Sequence, residues 1–192
     1  LVGEAPDLRG VFAEVRTAAV FAGTWAERRG ATVSAREGGR IYRLDKPPVA
    51  KEAPGRLRRA DDGDGDRELV QAWARAFDAE SGNNFGQAEA MVTLRLASGR
   101  VFLWDDGGPA SMASATAAVG GVCRIAHVYT PPALRSHGYG KACVADLSGK
   151  LLATEAEACM LFSHFHHPGS NRIYRSVGYE AVGETLVYEF TP

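Results

Sequence analysis

Near the start of the chain, apolar residues recur at helical spacing: Val11, Val15, Ala18, Ala22 and Trp25 fall on one stripe, and Arg28, Arg29 and Gly30 provide a cationic last turn and a stop. The pattern predicts a helix from Val11 to Arg29. Two short strands are expected next, Ala31 to Ala35 and Arg40 to Leu44, turning through Glu37-Gly38-Gly39. From Asp45 to Gly55 the periodicity lapses and Pro47, Pro48 and Pro54 intervene, which marks a linker and a boundary near residue 55.

Beyond it the pattern alternates between the two periods. Strands are expected at Arg56 to Arg59, Val101 to Trp104, Pro109 to Val119 and Gly121 to Thr130, with helices at about Arg67 to Ala79 and Gly86 to Leu96. A helix from Gly140 to Glu157 buries Val144, Leu147 and Leu151 and turns Asp146, Lys150 and Glu155 outward. Cys159 to Ser163 is apolar without alternation, as a strand covered on both faces would be. A short helix from Ser170 to Val177 and a terminal hairpin ending at Phe190 complete a mixed α/β (α+β) order. Strand, turn, helix and strand between Gly121 and Ser163 form a βαβ unit with an expected right-handed crossover.

Composition narrows the function classes only a little. The chain has 192 residues, 45% hydrophobic and 23% charged, ordinary values for a globular protein. A net charge of -1 gives no basic excess for nucleic acid or an anionic membrane, so neither partner is expected. The basic run Arg56-Leu57-Arg58-Arg59 is offset by Asp61, Asp62, Asp64 and Asp66 and reads as solvated charge. Cys123, Cys143 and Cys159 sit among apolar residues and suit buried thiols in a reducing, cytoplasmic setting. No membrane span or signal peptide is expected, and the absence of an initiator methionine at Leu1 leaves room for a start further upstream.

Chemistry concentrates between Ile125 and Lys141. Arg135-Ser136-His137-Gly138-Tyr139-Gly140-Lys141 is a glycine-bearing turn that opens a helix, where unpaired N–H groups, the macrodipole and two cations favour a phosphate anion. Just upstream, Thr130 is followed by Pro131 and Pro132, which cannot donate ladder hydrogen bonds, so the strand must end or splay. A splayed strand leaves backbone groups of Val128, Tyr129 and Thr130 for a peptide-like ligand arm. An arm with amides, a pyrophosphate and a thioester end describes coenzyme A; a plain proline-capped strand end is the alternative. Downstream, Asn171 and Tyr174 share a face of the short helix, and Gly178-Tyr179 ends it. The Tyr174 phenol could protonate a leaving thiolate, or it could pack in the core with Tyr179 while Asn171 caps the helix.

Taken together, Val128-Tyr129-Thr130-Pro131-Pro132, Arg135-x-x-Gly138-x-Gly140 and Asn171-x-x-Tyr174-x-x-x-Gly178-Tyr179 resemble the acetyl-CoA-binding core of the GNAT superfamily of N-acetyltransferases. The resemblance spans about residues 56 to 190 and is strongest from Gly121 to Tyr179. It implies a mixed central sheet whose parallel strands splay into a cleft, flanked by helices. It also implies acetyl-CoA as co-substrate and a small-molecule primary amine as acceptor, in a monomer or homodimer. By the same resemblance Val128 to Thr130 hold pantetheine, Arg135 to Lys141 wrap the pyrophosphate, Asn171 touches the cofactor arm and Tyr174 is the general acid. Ser136-His137 departs from the Gly-Arg or Gly-Lys of many members. Residues 1–50 resemble the end of a degenerate first half in two-part bacterial members, 51–55 the linker, and 56–192 the acetyltransferase domain.

Direct transfer needs no metal, but the acceptor amine, with a pKa of about 10.4, must lose a proton. His127, beside the splayed strand end, is the side-chain candidate for the base, with a water chain as the alternative. The acceptor pocket is expected from Phe77 to Phe85, Trp104 to Ser111 and His164 to Gly169. His164 and His166 would share a strand face, yet Cys159 has the opposite parity to both, so no zinc site is expected. A calcium loop at Asp62 to Asp66 fails because Arg67 and Trp73 stand where glycine and glutamate are required. A non-catalytic acyl-CoA sensor is the rival functional reading.

Overall fold

The computed structural model describes residues 8–49, 53–63, 65–81 and 87–191. Its elements run β1 (Gly10–Glu14), α1 (Val15–Arg29), β2 (Thr32–Leu44), β3 (Arg56–Arg59), α2 (Asp66–Ser81), α3 (Ala88–Ala97), β4 (Val101–Asp105), β5 (Pro109–Ala115), β6 (Val122–Tyr129), α4 (Tyr139–Thr154), β7 (Ala158–His164), α5 (Pro168–Val177) and β8 (Glu180–Thr191). No described helix is long and apolar enough to cross a membrane.

The chain forms two compact units, and neither is a continuous stretch of sequence: one comprises residues 1–42, 162–171 and 181–192, the other residues 43–161 and 172–180. The division between these units falls inside β2. The cause is strand pairing: β8, at the end of the chain, runs antiparallel to β1, with Gly10 opposite Glu189 and Glu14 opposite Thr185. Of the expected linker at 51–55, Lys51 and Glu52 lie outside the described residues, as do residues 82–86 at the expected start of the second helix.

In the smaller unit three expectations are corrected. The predicted Val11 helix starts later, because Val11 to Glu14 pair as a strand and the Glu14 carboxylate caps the amides of Arg16 and Thr17 at 3.1 Å. Ala18, Ala22 and Trp25 still form the buried stripe, with Trp25 stacked on Phe190 at 5.4 Å. The two expected strands around Gly38-Gly39 are one strand, β2. A Cβ on Gly38 would lie 1.7 Å from the Thr185 carbonyl oxygen, and one on Gly39 would lie 2.4 Å from that of Ser163. These glycines admit neighbouring backbones on either side and make no turn. The terminal hairpin is likewise a single strand, β8.

In the larger unit the strand order is β3-β4-β5-β6-β7. All neighbours are antiparallel except β6 and β7. Helices α2 and α3 pack on the sheet through Val70, Ala74, Val92 and Leu96, against Val101, Leu103, Met112 and Tyr129. Helix α4 buries Val144, Leu147 and Leu151 as its period predicts, and Thr154 is exposed. The three cysteines are free and buried.

The basic run holds more than solvated charge. Arg58 reaches Asp66 on α2, with Nη1 at 2.5 Å and Nη2 at 3.0 Å from its two oxygens, and Asp105 on β4, with Nε at 2.8 Å. The Asp66 amide-side partner is Asp61, whose N–H donates at 2.8 Å. The Asp66 side chain is 7% exposed, and the hydrogen bonds from Arg58 hold its carboxyl below the usual range against the opposing effect of burial. Asp66→Asn is expected to cost about 2 kcal/mol, less than a fully buried pair because Arg58 stays partly wet, and to lower Tm by roughly 4–8 °C. With the native pKa below that of the unfolded carboxyl, near 3.9, this stabilisation is complete above about pH 5 and drains away as pH falls through the native value. Urea unfolding between pH 3 and 7 should show that slope in the parent and a flatter one in the variant.

Candidate active site

The parallel pairing of β6 with β7 is short. It registers Val122 with Ala158, Cys123 with Cys159 and Arg124 with Met160, and beyond Arg124 the registered partners of β6 lie on β5 alone. On the β5 side the ladder is itself interrupted: Ser114 faces Ala126 and Met112 faces Tyr129, so His127 and Val128 together oppose Ala113. This is a β-bulge, and His127 carries its positive φ of 50°. A bulge re-aims the backbone groups that follow it, here those of Val128 and Tyr129.

Immediately after β6, Pro131 begins a 3-10 turn in which the Leu134 amide donates to its carbonyl at 2.9 Å. Ser136 and Gly138 then adopt left-handed conformations, with φ of 68° and 82°. Gly138 is the N-cap of α4, and no side chain among the described residues caps that terminus. The first helical bond is accepted by the Gly138 carbonyl from Ala142, so the amides before Ala142 stand ahead of the ladder. No acidic residue sits in the first turn. A Cβ at Gly140 would lie 3.1 Å from Thr130 Oγ1, so the turn closes tightly on the strand end. The strand end, the turn and the first residues of α4 are thus contiguous from Thr130 to Lys141.

The side chains of this stretch are ordered by their own partners. Arg135 donates through Nε to the Thr130 carbonyl at 3.0 Å and through Nη2 to Glu80 at 2.5 Å, and Glu80 also accepts from the Tyr129 hydroxyl at 3.1 Å. His137 Nδ1 lies 2.8 Å from the Arg135 carbonyl, and its ring stacks on Tyr139 at 5.6 Å. Tyr139 in turn donates to Asp106 at 2.7 Å. Ser111 donates to the Tyr129 carbonyl at 2.9 Å and meets Thr130 Oγ1 at the same distance, pinning the last residues of β6 to β5.

His127 is held differently from a free base. Its Nδ1 lies 2.9 Å from Arg95 Nη1 and 2.9 Å from Ser114 Oγ, and Phe77 meets its ring edge-on at 5.7 Å. A guanidinium only donates, so Nδ1 is the acceptor and the proton of the neutral ring belongs on Nε2. Burial, then the charges of Arg95 and Arg124, push the imidazole down to about 4. In this arrangement the one lone pair of the neutral ring is already taken. Because unfolded histidine titrates near 6.5, the native state should lose stability as pH falls from about 6.5 to 4, and His127→Asn should remove that part of the profile. Asparagine tolerates the left-handed backbone, so the comparison isolates the titration.

Asn171 is also committed within the protein. Its Oδ1 accepts from Tyr42 at 2.9 Å, and its Nδ2 donates to the carbonyls of His164 and His167, each at 2.9 Å. Both amide hydrogens are used, and the side chain ties α5 to β2 and the end of β7. Tyr174 is 8% exposed and packs edge-on against Tyr179 at 6.2 Å, while the Tyr179 hydroxyl meets Ser148 of α4 at 2.8 Å. Tyr174 is thereby one ring removed from α4. Trp104, offered above as a pocket residue, is fully buried and donates to the Pro54 carbonyl at 2.7 Å. Phe85 lies outside the described residues.

Three residues around β6 escaped the sequence reading: Glu80, Ser114 and Arg95. Only Arg95 left a signal, since it continues the buried stripe of Ala88, Val92 and Leu96 on α3. A charged residue on an apolar stripe asks for a partner.

No family model matches the sequence, and no curated protein matches it. Among solved structures, a GCN5-related N-acetyltransferase from Kribbella flavida superposes with a TM-score of 0.67 over 98% of this chain, at 19% identity. This chain has the GNAT-superfamily fold. A GNAT-family acetyltransferase from Colwellia psychrerythraea gives a TM-score of 0.63 over 96% of the chain at 13% identity. A tandem GNAT protein from the clavulanic acid biosynthesis pathway gives 0.62 over 99% at 14%. The chain spans 70%, 66% and 66% of the lengths of these three proteins. In the GNAT fold found here, the interrupted β6–β7 pairing, the bulge and the uncapped α4 follow one another in 20 residues or so, from Arg124 to Lys141.

Proposed function

We propose that the protein is an acetyl-CoA-dependent N-acetyltransferase that passes the acetyl group directly to a primary amine of a small, amino-acid-like molecule. The observation that carries this reading is the continuity of bulge, strand end and uncapped helix terminus from His127 to Lys141. Backbone groups of Val128 to Thr130 take the two amides of the pantetheine arm. The amides from Ser136 to Lys141 take the pyrophosphate, and Arg135, paired with Glu80, holds the start of the turn to the Thr130 carbonyl. The glycines fit that task, because a side chain at Gly138 would need a strained backbone and one at Gly140 would crowd Thr130.

In the reaction the amine nitrogen forms a bond to the thioester carbonyl carbon and the carbon–sulfur bond breaks. An N–H re-aimed by the bulge near Val128 stabilises the oxyanion, and Tyr174 gives its phenolic proton to the departing sulfur. The ammonium proton leaves through water, since His127 has no lone pair to offer. Residues 1–50 are read as the end of a preceding, degenerate GNAT half; similarity to a tandem GNAT protein supports that assignment.

Thiol release from acetyl-CoA across a panel of amines and amino acids, with mass detection of the product, tests the reading. Turnover on at least one amine supports it. Tight acetyl-CoA binding with no turnover on any amine would replace it with the sensor reading.

A further inference from the structure

Arg95 is 8% exposed, and among the described residues no carboxylate forms an ion pair with it. Its Nη1 donates to Ser114 Oγ at 2.8 Å and to His127 Nδ1 at 2.9 Å. Those two bonds use both hydrogens of Nη1 and leave those of Nε and Nη2 without a partner among the described residues. Nε and Nη2 form the edge of a guanidinium that meets a carboxylate through two parallel hydrogen bonds. A buried charge with no counter-charge is expensive, and the other charge that bears on Arg95, Arg124, has the same sign. Among the described residues, Arg95 itself therefore has no negative partner.

Its position gives that group a role. Arg95 and Ser114 hold the side chain of His127, the bulge residue itself, so the unpaired guanidinium edge belongs to the bulge end of the slot, away from the phosphate turn. With the bidentate edge of Arg95 free, a planar carboxylate matches its two parallel donors.

We infer that Arg95, with Ser114 and His127 holding it in place, is the anchor for a carboxylate on the acceptor substrate. The inference deepens the acetyltransferase reading and rests on it for the word acceptor: the substrate class becomes amines that carry a carboxylate. A carboxylate seated on Arg95 brings a nearby amine to the bulge, where the thioester carbonyl is expected.

Two measurements test it on the intact chain. The first compares kcat/KM for 4-aminobutyrate with butylamine and for alanine with ethylamine, in the parent and in Arg95→Met. One charge-assisted bidentate contact should favour the carboxylate-bearing member by roughly ten- to a hundredfold, and the variant should reduce that preference to about twofold or less. The second follows the His127 ring by NMR, identified by its loss in His127→Asn, while butyrate or uncharged butyramide is added. Butyrate should shift the signal and raise the pH at which the ring titrates; butyramide should do neither. This readout needs no turnover and no folded variant at position 95.

A butyrate response without acetylation of any amine would sustain the carboxylate site and remove the acetyltransferase reading. Acetylation of both members of each pair at equal rates, with no butyrate response, would overturn the carboxylate site and leave the enzyme. Absence of both acetylation and response would overturn the two together, leaving Arg95 as a prop for the bulge.

Discussion

Tyr174→Phe is expected to lower kcat by roughly 10²–10⁴-fold while acetyl-CoA affinity stays within about twofold, because only the proton donor is removed. Tyr174 is buried against Tyr179, and the phenylalanine ring keeps the same packing surface. The loss should grow with the basicity of the leaving thiolate. A substrate analogue with a more acidic thiol, which departs without protonation, should recover much of the rate. Stopped-flow measurement of the chemical step decides the matter. An unchanged rate for that step would take Tyr174 out of the reaction and return it to a packing role.

The second large effect is expected at Gly138→Val, in the binding of coenzyme A. Gly138 has a φ of 82°, where a β-branched side chain is strained, and the added Cβ would also touch Ala53 Cβ at 3.4 Å. The backbone can relieve that strain only by leaving the left-handed region, which turns the first amides of α4 away from a common focus. Calorimetry should show a Kd about tenfold or more above the parent value, with a Tm drop consistent with one strained residue. Gly23→Ala, where a Cβ meets nothing within 4 Å, serves as the neutral control in α1. Equal affinity in Gly138→Val and the parent would mean that the pyrophosphate is not held by this turn.

The βαβ unit around the slot was legible because its signals are local. Pro131 and Pro132 end β6 wherever the rest of the chain goes, and the Val144-Leu147-Leu151 stripe fixes the buried face of α4 within four turns. The smaller unit was misread where partners are distant in sequence. Nothing near Gly38-Gly39 says that backbones of β8 and β7 approach on either side, so two adjacent glycines resemble a turn. Val11 to Glu14 extend a helical stripe until β8, far along the chain, claims them as an edge strand.

The site shows the same division. Backbone geometry from Thr130 to Lys141, a bulge aside, follows from proline and glycine placement. Side-chain chemistry depends on what each group meets. Asn171 and Tyr174 have suitable spacing for a shared task, yet both Asn171 amide hydrogens go to the carbonyls of His164 and His167, and its oxygen accepts from Tyr42. His127 has the right position for a base, yet Arg95, 32 residues earlier, occupies its lone pair. The proposed carboxylate anchor at Arg95 rests on that same long-range contact.

The most direct measurement is amide hydrogen exchange of the whole chain with and without saturating acetyl-CoA. Slowed exchange is expected to concentrate in residues 128–130 and 136–141, with the two strands of the smaller unit that flank β8 unaffected. Bound acetyl-CoA that leaves those amides exchanging at their free rates, and protects another region instead, would contradict the proposed binding site.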